Sequence, residues 1–248
     1  MRILLVNPNI THSITETMVA EARRTASPGT EIVPATAAFG TLYVENRVEA
    51  SIAAHAVLEA VAEHAGDCDA VIVCAFGDPG LLAARELLDV PVVGIAESAM
   101  LLAHTLGRRY SIVCMTSRLR TWYLECAQSY GLHTRLAAVR ALDTPVDVTR
   151  ARETLAEPLL ALCERTIAED DAEVVVLGGG PLAGIARDIA DRIPVPTLDG
   201  VSCAVQMAES LVRLAPRPPR VGSHARPRPK PARGLSPALA TAMRTTAL

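Results

Sequence analysis

Four short polar segments stand directly after apolar runs, and between them they hold the side chains best placed to do chemistry. Asn7-Pro8-Asn9 follows Ile3–Val6, and Ala75-Phe76-Gly77-Asp78-Pro79-Gly80 follows Ala70–Cys74. Thr116-Ser117-Arg118 follows Tyr110–Met115, and Gly178-Gly179-Gly180-Pro181 follows Glu173–Leu177. Asn7 and Asn9 could hydrogen-bond a carboxylate or a ureide, or could only end a strand in a turn. Thr116 and Ser117 offer hydroxyls and, at a helix start, N–H groups suited to an anion or a carbonyl; either could equally be a helix cap. Asp78 could be an acid or base, although an Asp in Gly-Asp-Pro-Gly also fixes a turn through its own backbone. Cys74 is a candidate thiol acid/base, and a buried packing cysteine is the competing reading.

The six cysteines, at 68, 74, 114, 126, 163 and 203, form no CxxC pair and sit mostly in apolar runs. That pattern predicts buried thiols in a reducing compartment, not a disulfide framework or a zinc site. The histidines have no metal-ligand spacing, and His12 alone lies near a strand-end loop. Gly178-x-Gly180-x-x-Ala183, with Asp199 about twenty residues on, fits a loose dinucleotide fingerprint, but Pro181 interrupts its turn.

Short apolar strands alternating with helices must position these segments. Strands are predicted at Ile3–Val6, Glu31–Pro34, Ala70–Cys74 and Val90–Ile95, with helices from Thr15, over Ile52–His64 and over Leu81–Leu88. The order then recurs: strands at Tyr110–Met115, Leu136–Arg140, Glu173–Leu177 and Val195–Leu198, helices at Leu119–Tyr130, Arg152–Ala168 and Leu182–Asp191. Val201–Leu214 reads as a last helix packing back on the first half. Such alternation predicts an α/β fold with parallel sheets. Its recurrence predicts two similar lobes: residues 1–98 with 200–214, and residues 99–199. Ligands of open parallel sheets bind beyond the carboxyl ends of the strands, so facing lobes would bring all four polar segments to one cleft.

Composition bounds the partners. Half the chain is hydrophobic and 21% is charged, as in a globular protein. Aromatic residues make up only 3% and the net charge is −3, which speaks against stacking on sugars or unpaired bases and against a nucleic-acid partner. No apolar run approaches a membrane span or a signal-peptide core. Residues 213–248 hold eight of the 24 basic residues and none of the 27 acidic ones. Residues 215–248 therefore read as a disordered, basic, Pro/Arg-rich tail.

Asn7-Pro8-Asn9, Phe76-Gly77-Asp78-Pro79-Gly80-Leu81, Ile112–Thr116 before a helix, Tyr130-Gly131-Leu132 and the turn at Gly178 before Ala183-Gly184 together resemble the aspartate/glutamate/hydantoin racemase superfamily. The hydantoin and allantoin racemase branch is the best match, over about residues 1–214. The resemblance implies two facing flavodoxin-like lobes and a small carboxylate or cyclic ureide held between them. It implies cofactor-independent proton removal and return at a carbon next to a carbonyl. It also implies a cysteine from each lobe as acid and base, thiols that oriented N–H groups would activate. At the two matching positions this chain has Ala75 and Gly179, with Cys74 one residue before the first.

The resemblance thus predicts a cytoplasmic, racemase-like isomerase that is a homo-oligomer and needs no cofactor, metal, nucleic acid or membrane. Its substrate would meet Asn7, Asn9, Ala75, Phe76, Gly77, Asp78, Thr116, Ser117, Gly178, Gly179 and Gly180, with Cys74 as the candidate acid/base. A decarboxylase or isomerase of the same superfamily, a dinucleotide-binding protein and a non-catalytic ligand-binding homologue are the alternatives.

Overall fold

The computed structural model describes residues 1–142 and 154–244. The first half runs β1 (Arg2–Asn7), α1 (His12–Thr25), β2 (Glu31–Thr36), α2 (Arg47–His64), β3 (Ala70–Val73), α3 (Leu81–Leu87), β4 (Val92–Gly94) and α4 (Ile95–Leu106). The second half repeats it with β5 (Tyr110–Cys114), α5 (Arg120–Ser129), β6 (Leu136–Ala141), α6 (Ala156–Asp170), β7 (Val174–Gly178), α7 (Ile185–Ile189), β8 (Thr197–Asp199) and α8 (Gly200–Leu214). The first residues of the predicted Arg152–Ala168 helix fall outside the described residues.

Each half forms a four-stranded, wholly parallel sheet, in the orders β2-β1-β3-β4 and β6-β5-β7-β8. The two inner strands of each sheet, β1 and β3, β5 and β7, are almost entirely buried, because helices cover both faces. That is why they read as unbroken Ile/Leu/Val runs. Pro34 lies in β2, an outer strand, where its missing N–H costs no ladder bond. Strand order reverses between β1 and β3 and between β5 and β7. These are the switch points at which parallel sheets open a crevice.

The halves exchange helices. α4 continues from β4 but lies against β7, while α8 continues from β8 and lies against β3 and β4; the two pack on each other. One apolar core therefore runs between the sheets, from Ile3, Leu5 and Ile72 through Met100 and Ala204 to Ile112 and Val176. Polar ties reinforce it. Arg187 of α7 donates to the buried carboxylate of Glu21 on α1 at 2.6 Å, and Ser202 of α8 donates to the same oxygen at 2.9 Å.

The last segment differs from its prediction as a disordered tail. Residues 216–235 carry no regular helix or strand, but Pro237–Ala242 forms α9 against α2. Leu239 is buried among Val57, Val61 and Leu81, and Arg226 pairs with Asp89 at 2.9 Å. Leu235, Leu239, Ala242 and Met243 recur at helical spacing, an apolar stripe that the surrounding Pro and Arg hide. Among the described residues no helix is long and apolar enough to cross a membrane.

Candidate active site

A narrow cleft lies where the two switch points face each other. Its first wall is Asn9, Ile14, Tyr43, Val44, Glu45, Cys74, Ala75 and Phe76; its second is Met115, Thr116, Leu119, Tyr123, Gly179, Gly180 and Pro181. Asn9, Cys74, Ala75, Phe76, Thr116, Gly179 and Gly180 are thus brought together, from both lobes.

Asn7, Gly77, Asp78, Ser117 and Gly178 are not among the lining residues. Asn7 is fully buried behind the wall. Its Nδ2 donates to Thr15 Oγ1 at 2.9 Å and to Asn9 Oδ1 at 3.0 Å, and its Oδ1 accepts the Asn9 N–H. Asn9 Oδ1 also accepts from the Thr11 N–H at 2.9 Å. With its oxygen so occupied, Asn9 keeps Nδ2 as a donor for the cleft. Asn7 is the brace that holds it.

Asp78 turns away from the cleft. Its two oxygens accept the N–H groups of Ala96 and Glu97 at 2.9 and 2.8 Å, capping α4, and Tyr130 from the other lobe donates to it at 2.8 Å. Burial dominates these bonds and pushes the carboxyl up to about 7. Gly94 has to be glycine beside it, since a Cβ there would stand 2.2 Å from the Asp78 carboxyl carbon. Gly77 likewise makes room for the Trp122 ring, 2.6 Å from where its Cβ would be. Ser117 begins a 3-10 turn that carries it to an exposed groove along β6.

Thr116 does face the cleft, and its Oγ1 is buried without a hydrogen-bond partner. A buried orphan hydroxyl costs about 1–3 kcal/mol, which a ligand would recover. Phe76 and Tyr123 pack ring to ring across the lobes with centroids 4.7 Å apart, and Tyr123 Oη donates to the Gly178 carbonyl at 3.4 Å. That contact leaves Gly178 no space for a side chain: its Cβ would meet Tyr123 at 2.9 Å. A Cβ on Gly180 would meet Met18 Sδ at 2.8 Å. At Gly179 the nearest atom, Met115 Cε, is 3.4 Å away. Of the three glycines, the middle one alone has room for a side chain.

Cys74 is 1% exposed, and burial, with the charges of Asp78 and Asp199, holds its thiol well above the ordinary range. Cys114 is pushed up to about 12, also by burial. Neither thiol is poised to ionise near neutral pH. The dinucleotide fingerprint does not assemble either. Gly180–Leu182 is a 3-10 turn, and Asp199 caps α8, accepting the Ser202 N–H at 2.9 Å. No metal-holding group of three or more His, Cys, Asp or Glu occurs among the described residues.

Tyr43 and Glu45 are lining residues that the sequence reading missed. They belong to the loop between β2 and α2, which no motif marked. The loop is drawn over the cleft by Thr11 Oγ1 donating to the Leu42 carbonyl at 2.6 Å and Ile10 N–H to the Thr41 carbonyl at 3.1 Å. The available signal was Asn46-x-x-Glu49, a helix start: Asn46 accepts the Glu49 N–H, and Glu49 accepts the Glu45 N–H at 2.8 Å.

The family model for Asp/Glu/hydantoin racemases matches residues 3–208. The chain belongs to this family. A hydantoin racemase of Paenarthrobacter aurescens is 34% identical over 233 residues, 93% of this chain and 99% of that protein. The crystal structure of allantoin racemase from Pseudomonas fluorescens superposes with a TM-score of 0.89 at 43% identity, covering 94% of this chain and all of that one. Allantoin racemase from Klebsiella pneumoniae gives 0.90 at 39%, over 96% and 98%. Arylmalonate decarboxylase, 17% identical with a TM-score of 0.61, shares the fold. Ala75 and Gly179, where the sequence resemblance implies thiols, both line this cleft, one from each lobe.

Proposed function

We propose that the protein is a cofactor-independent racemase of this family, acting at the carbon next to a carbonyl of a neutral cyclic ureide of the hydantoin and allantoin class. The observation that carries the substrate class is the charge of the lining: it contains Glu45 and no Arg, Lys or His among the described residues. A carboxylate ligand would face that acid without a counter-cation, at a cost that grows as water leaves the cleft. A ureide ring brings N–H groups and carbonyls instead, which match Glu45, Asn9 Nδ2, Thr116 Oγ1 and the backbone N–H groups of the two turns. The same donors stabilise the oxyanion formed when the carbon loses its proton. The names of the relatives support this class.

The space left free in the cleft is about 40 Å³, enough for a water or two and not for a ring. The cleft therefore has to widen to admit the ligand. Six free, buried thiols suit a reducing cytoplasm, and the reading takes the working form to be a homo-oligomer. Polarimetry of enantiopure 5-monosubstituted hydantoins and allantoin tests the activity, beside aspartate and phenylmalonate as charged comparators. Enzyme-dependent loss of rotation with the ureides alone is the expected result. Turnover of the carboxylates instead would overturn the substrate class.

A further inference from the structure

The sequence resemblance implies thiols where this chain has Ala75 and Gly179; on that register the proton goes elsewhere, and the lining offers few groups to take it. Tyr123 is fully buried and, through desolvation, its phenol sits well above the ordinary range, as does the Cys74 thiol. Thr116 and Asn9 are hydrogen-bond donors and not bases near neutral pH. Among the described residues Glu45 is the one carboxyl group of the lining. Its backbone is fixed by Glu49 at the start of α2, while its carboxyl group has no hydrogen-bond or ion-pair partner among the described residues. Its near neighbour Arg47 is engaged elsewhere: it pairs with Glu125 and lies 5.7 Å over the Trp122 ring. A carboxyl-bearing residue on an anchored backbone, lining a ligand cleft and left without a protein partner among the described residues, is what a general base requires.

We propose that Glu45 is the proton-transferring catalytic residue of this cleft, in place of the thiol pair. The inference rests on the ureide reading above. A Glu45 oxygen takes the proton from the ring carbon; the C–H bond breaks, the O–H bond forms, and the electron pair moves into the adjacent carbonyl as an enolate. The donors at Asn9 and Thr116 hold that oxyanion. The proton, or one exchanged from solvent, returns from Glu45 to carbon. Inversion follows when the planar enolate presents its other face before the proton returns. One base therefore serves both hands, and exchange with solvent runs ahead of inversion.

The test follows the C5 proton of an enantiopure 5-monosubstituted hydantoin by NMR in D₂O, near neutral pD and against an enzyme-free control. Glu45→Gln is expected to slow exchange about 10²- to 10⁴-fold, the usual worth of a general base, while the affinity for the hydantoin by calorimetry moves only a few-fold. Glu45→Ala should be equally slow and partly rescued by added formate, which a merely structural role would not allow. Glu45→Asp should keep part of the rate. Because the carboxyl group holds no other residue, the variants should melt with wild type. Exchange in Glu45→Gln at the wild-type rate would overturn the inference and leave the ureide reading standing. Wild-type protein that neither binds nor exchanges hydantoins would overturn both.

Discussion

Gly179 and Ala75 decide what this cleft can do, one from each lobe. Gly179 has φ +151°, and a Cβ there would make ordinary van der Waals contacts, with Met115 at 3.4 Å and Leu182 at 3.6 Å. A side chain there would cost on the order of 1–3 kcal/mol of backbone strain but would meet no clash. Gly178→Ala should cost about 1–3 kcal/mol by pressing on Tyr123 and Ile112. The Ala75→Cys/Gly179→Cys double variant should therefore fold and invert hydantoins faster than wild type. Polarimetry that finds no gain would contradict the placement of both residues beside the ligand. Asp78 gives a second, independent prediction. Its carboxyl stands near 7 in the fold and near 3.8 when exposed, so the folded state holds its proton where the unfolded chain has released it. The stability that Asp78 contributes is then fully present below about pH 4 and is lost as pH rises to about 7, by at most about 1.4 kcal/mol per unit. Asp78→Asn should flatten that slope in urea titrations. An unchanged slope would show that Asp78 is not the group responsible. Sequence exposed both residues but not their roles. Ala75 and Gly179 stand out in the sequence because Phe76-Gly77-Asp78-Pro79-Gly80 and Ala183-Gly184 set the register of the resemblance. Asp78 read as a cleft residue because the same Gly-Asp-Pro-Gly turn serves a cleft or a helix cap; which of the two depends on Gly94 and Tyr130, far along the chain.

At the scale of elements, the strands were the most legible part, because a strand buried on both faces is apolar throughout. Helix α4 went unassigned, although Ile95, Ala96, Ala99, Met100 and Ala103 form its buried face. It follows β4 with no turn residue between, so strand and helix merge into one apolar stretch. The loop with Tyr43 and Glu45 escaped for the opposite reason: its function comes from where Thr11 and Ile10 hold it, not from its own composition. Two elements invite mutation. Arg187 spans the lobes to Glu21, which is 1% exposed. Arg187→Ala should cost about 3 kcal/mol, because it strands a buried carboxylate, and Arg187→Lys less. Chemical denaturation reads this directly, and a loss under 1 kcal/mol would mean that Ser202, Thr25 and Arg24 satisfy the acid without Arg187. Leu239→Ala on α9 should cost about 2–3 kcal/mol and leave catalysis intact. No change in stability would return the last segment to the disordered tail its composition suggests.

The whole molecule is two copies of one α/β plan whose switch points face each other and whose fourth helices are exchanged. Among the described residues its cleft is lined by one acid, Glu45, and no cation, with Ala75 and Gly179 on its facing walls. These features underlie the proposal of a ureide racemase with a single base. The most direct test is to stop the wild-type reaction with an enantiopure hydantoin in D₂O part-way and separate the two enantiomers. Each is then examined for deuterium at C5. A single base that exchanges its proton with solvent predicts deuterium in both enantiomers, with more exchange than inversion. Deuterium confined to the inverted product, with the recovered starting enantiomer still carrying hydrogen, is the pattern of two bases on opposite faces and would contradict the account.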